Sequence, residues 1–196
     1  MTIIVAIPTK DGVFIGADSQ VTRGDSILAA TVKIITKQCA DHEVLIAATG
    51  NHGLSSLARH GLTLPDAPDP ADADGCDGWA YAVACALAEL AAEAKPPVLD
   101  DGHVDGEALL AFDSHLWLLN GQCALRLTEP FAIGSGAPEA RGALHVVAHM
   151  LPSDAPDAEP GWAIVAAVRA AIDLDPNCGG KIQIARTFSI NAEQDR

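Results

Sequence analysis

Met1-Thr2-Ile3-Ile4-Val5-Ala6-Ile7-Pro8-Thr9-Lys10-Asp11-Gly12-Val13-Phe14-Ile15-Gly16-Ala17-Asp18 is the stretch that decides how this chain reads. Two apolar, β-branched runs flank an Asp-Gly turn, a pattern that predicts an antiparallel hairpin. Chain ends are usually loose, yet these first residues have the composition of a strand. No leader-like segment is expected before them. Removal of Met1, usual before a small residue, leaves Thr2 with a free α-amine. Such an amine titrates near ~8 and can act as a base at neutral pH. A threonine hydroxyl activated by its own amine is a nucleophile. An ordinary N-terminal edge strand fits the same residues, so the rest of the chain must decide between the two.

Working outward, 196 residues fit one domain spanning 1–196 with a full core. Apolar residues make up 49% but aromatics only 4%, so the core is expected to be Ala, Leu, Val and Ile. The net charge of −14 argues against nucleic acid and anionic membrane as partners. Five scattered cysteines form no CxxC or CxxH pair, which argues against a disulfide framework or zinc site and predicts a reducing cytoplasm. The apolar run 161–174 carries Arg169 and Asp173 and is too short to span a membrane.

After the hairpin, residues 19–25 read as a polar turn. Strands are expected at 31–36 and 44–49, making residues 2–49 a four-strand meander. A short helix is expected at 54–60, and an acidic, Pro-rich loop at 62–78. A helix follows at 79–94, stopped by Pro96-Pro97. A second β set covers 108–112, 115–119, 122–127 and 131–133, with Asn120-Gly121 as a hairpin turn. Helices are expected at 138–151 and 162–174, the latter covered on both sides. An acidic loop at 152–160 separates them, and a last strand covers 181–188, with Ile182, Ile184 and Ala185 in the core. This order gives an α+β fold, antiparallel sheets with helices packed outside.

Several positions could assist Thr2. Lys33 sits on an expected strand among apolar neighbours, where a lysine must pair or lose basicity. Asp18, at a strand end, is a suitable partner, although an exposed ion pair is the commoner case. Gly134-Ser135-Gly136 allows close approach of another segment or simply caps a helix. Asp175 or Cys178, in Asp173-Leu174-Asp175-Pro176-Asn177-Cys178-Gly179-Gly180, could reach the site or only terminate a helix. His145 and His149 lie one helical turn apart but lack a glutamate and a third ligand, so a surface pair is the better reading. Cys39 and Cys123 read as small core residues.

Thr2-Ile3-Ile4-Val5, Gly16-Ala17-Asp18-Ser19-Gln20-Val21, Thr31-Val32-Lys33-Ile34, Ala48-Thr49-Gly50 and Ala132-Ile133-Gly134-Ser135-Gly136-Ala137-Pro138 together resemble the proteasome β-subunit and bacterial HslV peptidase family. The motifs keep that family's order over nearly the whole chain. The resemblance implies a four-layer αββα sandwich of two antiparallel sheets and a threonine-type N-terminal-nucleophile hydrolase. Its nucleophile falls on Thr2, the acidic strand-end residue on Asp18 and the strand lysine on Lys33. Ser135 and Asp175 would orient the terminal amine, and amides near Gly50 would bind the oxyanion. Cys178 stands where proteasome β-subunits carry serine, as in HslV-type chains, which often bind a cation through backbone carbonyls. That makes Asp175, Cys178 and Lys181 candidate carbonyl ligands for a structural monovalent or divalent cation, with no cofactor required for the reaction. The acidic loops at 62–78 and 152–160 depart from the family and leave the subgroup open.

The resemblance further implies a homo-oligomeric ring or stacked rings, a peptide or unfolded-protein substrate, and an ATP-dependent unfoldase partner. Two rivals use the same residues: an amidase acting on a small amide, and a non-catalytic ring or scaffold subunit.

Overall fold

The computed structural model describes residues 2–23, 26–94, 99–100, 103–150 and 159–188. Two antiparallel sheets face one another. The first sheet has the order β12-β1-β2-β13, built from β1 (Ile3–Thr9), β2 (Gly12–Ala17), β12 (Phe131–Gly134) and β13 (Gln183–Arg186). The second has the order β11-β10-β9-β6-β5, from β5 (Ile34–Cys39), β6 (His42–Ala48), β9 (Ala108–Phe112), β10 (His115–Asn120) and β11 (Cys123–Leu127). Small hairpins β3 (Gln20–Arg23) with β4 (Ser26–Ala30) and β7 (Leu99–Asp100) with β8 (His103–Val104) stand apart. Helices α3 (Ala137–Met150) and α4 (Pro160–Leu174) cover the first sheet, and α2 (Ala73–Glu93) covers the second. The short α1 (His52–Ser56) runs into a π-helical turn, Leu57–Gly61.

Strand alternation builds these layers. On β1, Ile3, Val5 and Ile7 face the helices while Ile4 and Ala6 face the other sheet. On β9, Leu110 and Phe112 face α2 while Leu109 and Ala111 face inward. Both faces are covered, which is why these strands read as unbroken apolar runs. Helix α2 buries Cys76, Trp79, Ala80, Val83, Ala84, Leu87 and Ala91, one stripe at helical spacing. The αββα sandwich of two antiparallel sheets is therefore present.

Several expectations need correction. Residues 2–49 are not one meander: β1–β2 belongs to the first sheet and β5–β6 to the second. The segment read as a polar turn contains β3, which pairs with β4 just beyond it. The 62–78 loop ends sooner, because Asp72 caps α2 through the Gly75 N–H at 3.1 Å and draws Asp74 and Asp77 into the helix. The 152–160 loop lies outside the described residues except for its end, where Pro160 begins α4. Among the described residues, helix α4 is covered on one side only, leaving Trp162, Val165 and Leu174 exposed. Ile184 is exposed rather than in the core, since it sits on β13, an edge strand.

In urea unfolding, Leu110→Ala is expected to lose about 2–5 kcal/mol and Ile184→Ser about 0.5 kcal/mol or less. Similar losses for the two would contradict this assignment of the core.

Candidate active site

Strand β1 is an interior strand, paired to β12 through Ile3 and Gly134 and to β2 through Ile4 and Ala17. Thr2 is thereby fixed at the mouth of the sandwich, with little exposure. Gly134 makes this fit: its φ is +101°, and a Cβ there would lie 2.2 Å from the Thr2 carbonyl oxygen. Gly136 N–H and Ser135 Oγ, each at 3.4 Å, donate to that same carbonyl.

Asp18 follows the last residue of β2 and is completely buried. Its Oδ1 accepts from Thr2 Oγ1 at 2.7 Å, from Ile3 N–H at 3.1 Å and from Lys33 Nζ at 2.5 Å. Its Oδ2 accepts from Gly179 N–H at 3.0 Å and Gln20 N–H at 3.2 Å. Lys33 Nζ also donates to Thr2 Oγ1. Burial pulls the Lys33 ammonium below its ordinary value, and Asp18 opposes that pull. The three side chains read from the sequence therefore meet, as a buried array rather than an exposed pair. Lys33 is not on a strand: it precedes β5, and its N–H donates to the Gln183 side chain at 2.9 Å.

Behind this array lies a second one. Cys178 Sγ donates to Asp175 Oδ2 at 3.3 Å and lies 3.9 Å from Ser135 Oγ. Asn177 holds Asp175 Oδ1 through its backbone and side-chain nitrogens, both at 2.9 Å. Burial raises Asp175, but hydrogen bonds from Ser135, Asn177 and Cys178 outweigh it and hold its carboxyl below the usual range. Burial, with Asp18 and Asp175 nearby, pushes the Cys178 thiol up to about 12, so it serves as a neutral donor.

Gly50 lines the cleft beside Thr2, whose volume is about 430 Å³. The flanking Thr49 and Asn51 N–H groups donate to Glu107 O at 2.8 Å and Asp105 O at 3.0 Å. Gly50, at φ +87°, packs so closely on Gly106 that a Cβ would lie 2.5 Å from its Cα.

Lys181 is not in the array; its N–H donates to Ser19 Oγ at 2.8 Å and braces the turn after Asp18. The candidate carbonyl ligands Asp175, Cys178 and Lys181 lie on the segment between α4 and β13. The Asp175 carbonyl already accepts from Cys178 N–H at 3.0 Å. The Gly179 and Gln20 amides and the cleft residues Arg59 and His60 were missed from sequence. Main-chain donors leave no residue-type signal, but Arg59 and His60, a few residues after Gly50, could have been found by spacing.

No protein-family model matches the chain, and no curated protein does. Solved structures do match in fold. BPH of Thiobacillus denitrificans, in complex with epoxomicin, has a TM-score of 0.74 at 18% identity, covering 95% of this chain and 98% of its own. Anbu (ancestral beta-subunit) of Yersinia bercovieri has a TM-score of 0.67 at 17% identity, covering 95% of this chain and 81% of its own. HslV of Trypanosoma brucei has a TM-score of 0.65 at 18% identity, covering 94% of this chain and 98% of its own. The chain thus has the N-terminal-nucleophile hydrolase fold of the proteasome and HslV type. Among the described residues, no helix is long and apolar enough to cross a membrane.

Two outcomes follow. Lys33→Met strands Asp18 as an unpaired buried carboxylate and should cost about 3–5 kcal/mol in urea unfolding, with Asp18→Asn added to it recovering part. An unchanged midpoint would contradict the buried array. Cys178, whose raised value makes it a stabilising neutral group below the ordinary thiol value, loses that contribution as pH rises toward about 12. At pH 8 the folded protein should alkylate at exposed Cys123 and leave Cys178 unmodified by mass spectrometry; rapid labelling of Cys178 would contradict this.

Proposed function

We propose that this chain is a threonine-type N-terminal-nucleophile endopeptidase that cleaves peptides or unfolded proteins, with Thr2 as nucleophile once Met1 is removed. The observation that carries this reading is the Thr2 hydroxyl, held between the Lys33 ammonium and the Asp18 carboxylate at the edge of an open cleft. An N-terminal nucleophile carries its own base, so no separate histidine is needed.

The freed α-amine of Thr2 takes the hydroxyl proton through a water. Oγ1 attacks the peptide carbonyl carbon, and the oxyanion forms against the Gly50 amide. Lys33, donating to Oγ1, stabilises negative charge as it develops there, and Asp18 fixes Lys33. Collapse breaks the C–N bond, and the α-ammonium returns its proton to the leaving amine. Water activated by the same α-amine then cleaves the ester and frees Thr2. Ser135 and Asp175 position the start of the chain through the Thr2 carbonyl and Cys178. No step needs a cofactor or is routed through a cation.

The HslV- and proteasome-like neighbours are compatible with assembly into homo-oligomeric rings, and the proposal adds, from the family resemblance alone, a cytoplasmic location and an ATP-dependent unfoldase partner. An amidase for a small amide would use the same residues and differ in the size of its substrate. A scaffold subunit could keep the Lys33–Asp18 pair as a structural tie but would have no use for a Thr2 hydroxyl held against that pair at the edge of an open cleft.

With an unfolded protein such as casein as substrate, Thr2→Ala should abolish turnover while leaving the unfolding midpoint within about 1 kcal/mol, and Thr2→Ser should retain part of the activity. Wild-type turnover by Thr2→Ala would remove this reading.

A further inference from the structure

The cleft beside Thr2 has a charge that the chain as a whole does not. The protein carries −14, yet among the described residues the cleft is lined by Lys33, Arg59, His52 and His60 and by no Asp or Glu. Charges beyond about 10 Å are largely screened, so these local groups set the field a substrate meets. Lys33 and Asp18, paired beneath the cleft, balance one another, so Arg59 carries the positive charge that the lining offers a substrate.

Arg59 is built in rather than loose. It sits on the π-helical turn, and its carbonyl and that of Leu62, which caps the turn, both accept from Lys37 Nζ, at 3.2 and 2.8 Å. One guanidinium nitrogen donates to Val32 O at 2.6 Å, anchoring the group beside the residue that precedes Lys33. Among the described residues it makes no salt bridge. A guanidinium has five N–H donors, so a fork remains to meet a carboxylate with two parallel hydrogen bonds. Lining of this kind does not suit a basic side chain, and a purely apolar one would leave the fork unanswered.

Resting on the peptidase reading above, we propose that this cleft selects an acidic side chain, with Arg59 as its principal partner and His60 beside it. The side chain belongs to the residue whose carbonyl is attacked. That carbonyl must reach both Thr2 Oγ1 and the Gly50 amide, so its own side chain enters the cavity these two residues border. The substrates are therefore peptides cleaved after Glu or Asp.

The test is a set of peptides identical except for Glu, Gln, Leu or Arg before the cleaved bond, with kcat/KM read for each. Glu and Gln have the same shape, so their ratio isolates charge. The wild-type protein should prefer Glu over Gln by roughly tenfold or more, as a two-point charge-assisted contact supplies, and the preference should shrink as salt is raised. Arg59→Gln should bring the ratio near one, and Arg59→Glu should favour the Arg peptide. The salt series needs no substitution, so it decides the matter even if a variant fails to fold. Equal cleavage of Glu and Gln peptides overturns this inference and leaves the peptidase reading standing. No cleavage of any peptide overturns both.

Discussion

The carboxylate of Asp18 is the constraint on which the rest of this structure depends. Taking a carboxylate fully out of water costs several kcal/mol unless its lone pairs are met. Here they are met from four directions: the start of β1, the turn after β2, the segment before β5 and the loop after α4. These donors come from four separate parts of the chain, so satisfying the charge also fixes where those parts meet. Thr2 and Lys33 are brought together because both need the same oxygen.

The sandwich makes that burial available. With helices outside both sheets, the interior strands are apolar on both faces, and polar groups can be buried only where the strands end. Asp18 lies at such an end, beyond Ala17, and Thr2 at another, before Ile3. The layers tolerate wide substitution as long as size and pattern are kept. This explains how a chain 18% identical to a solved structure can share its fold at a TM-score of 0.74.

Much of this was legible in the sequence, and the failures have physical causes. The β1–β2 hairpin and the strand Ala108–Phe112 announce themselves through β-branched or continuous apolar runs and their turns. The β3–β4 hairpin does not, because its strands are short and the second is exposed along its length. Alternation cannot say which sheet a hairpin joins, so 2–49 read as one meander. Leu174 and Ile184 looked like core residues because apolar character alone does not reveal an uncovered helix face or an edge strand. At the site, the side chains Thr2, Asp18, Lys33 and Ser135 were legible through their motifs. The Gly179 and Gln20 amides were not, because any residue supplies an amide. Lys33 read as part of a strand because Ile34-Ile35 continues after it; a side chain, Gln183, takes the N–H that a neighbouring strand would otherwise have used.

The central claim is that Thr2 is the working N-terminal nucleophile. Its most direct test is the intact mass of the purified protein before and after incubation with a peptide epoxyketone such as epoxomicin. That reagent forms its stable ring adduct only with a hydroxyl and a free amine on the same residue. The account predicts loss of Met1 and one adduct per chain, located on Thr2. A protein that keeps Met1 and forms no adduct, or loses Met1 and still forms none, would contradict it.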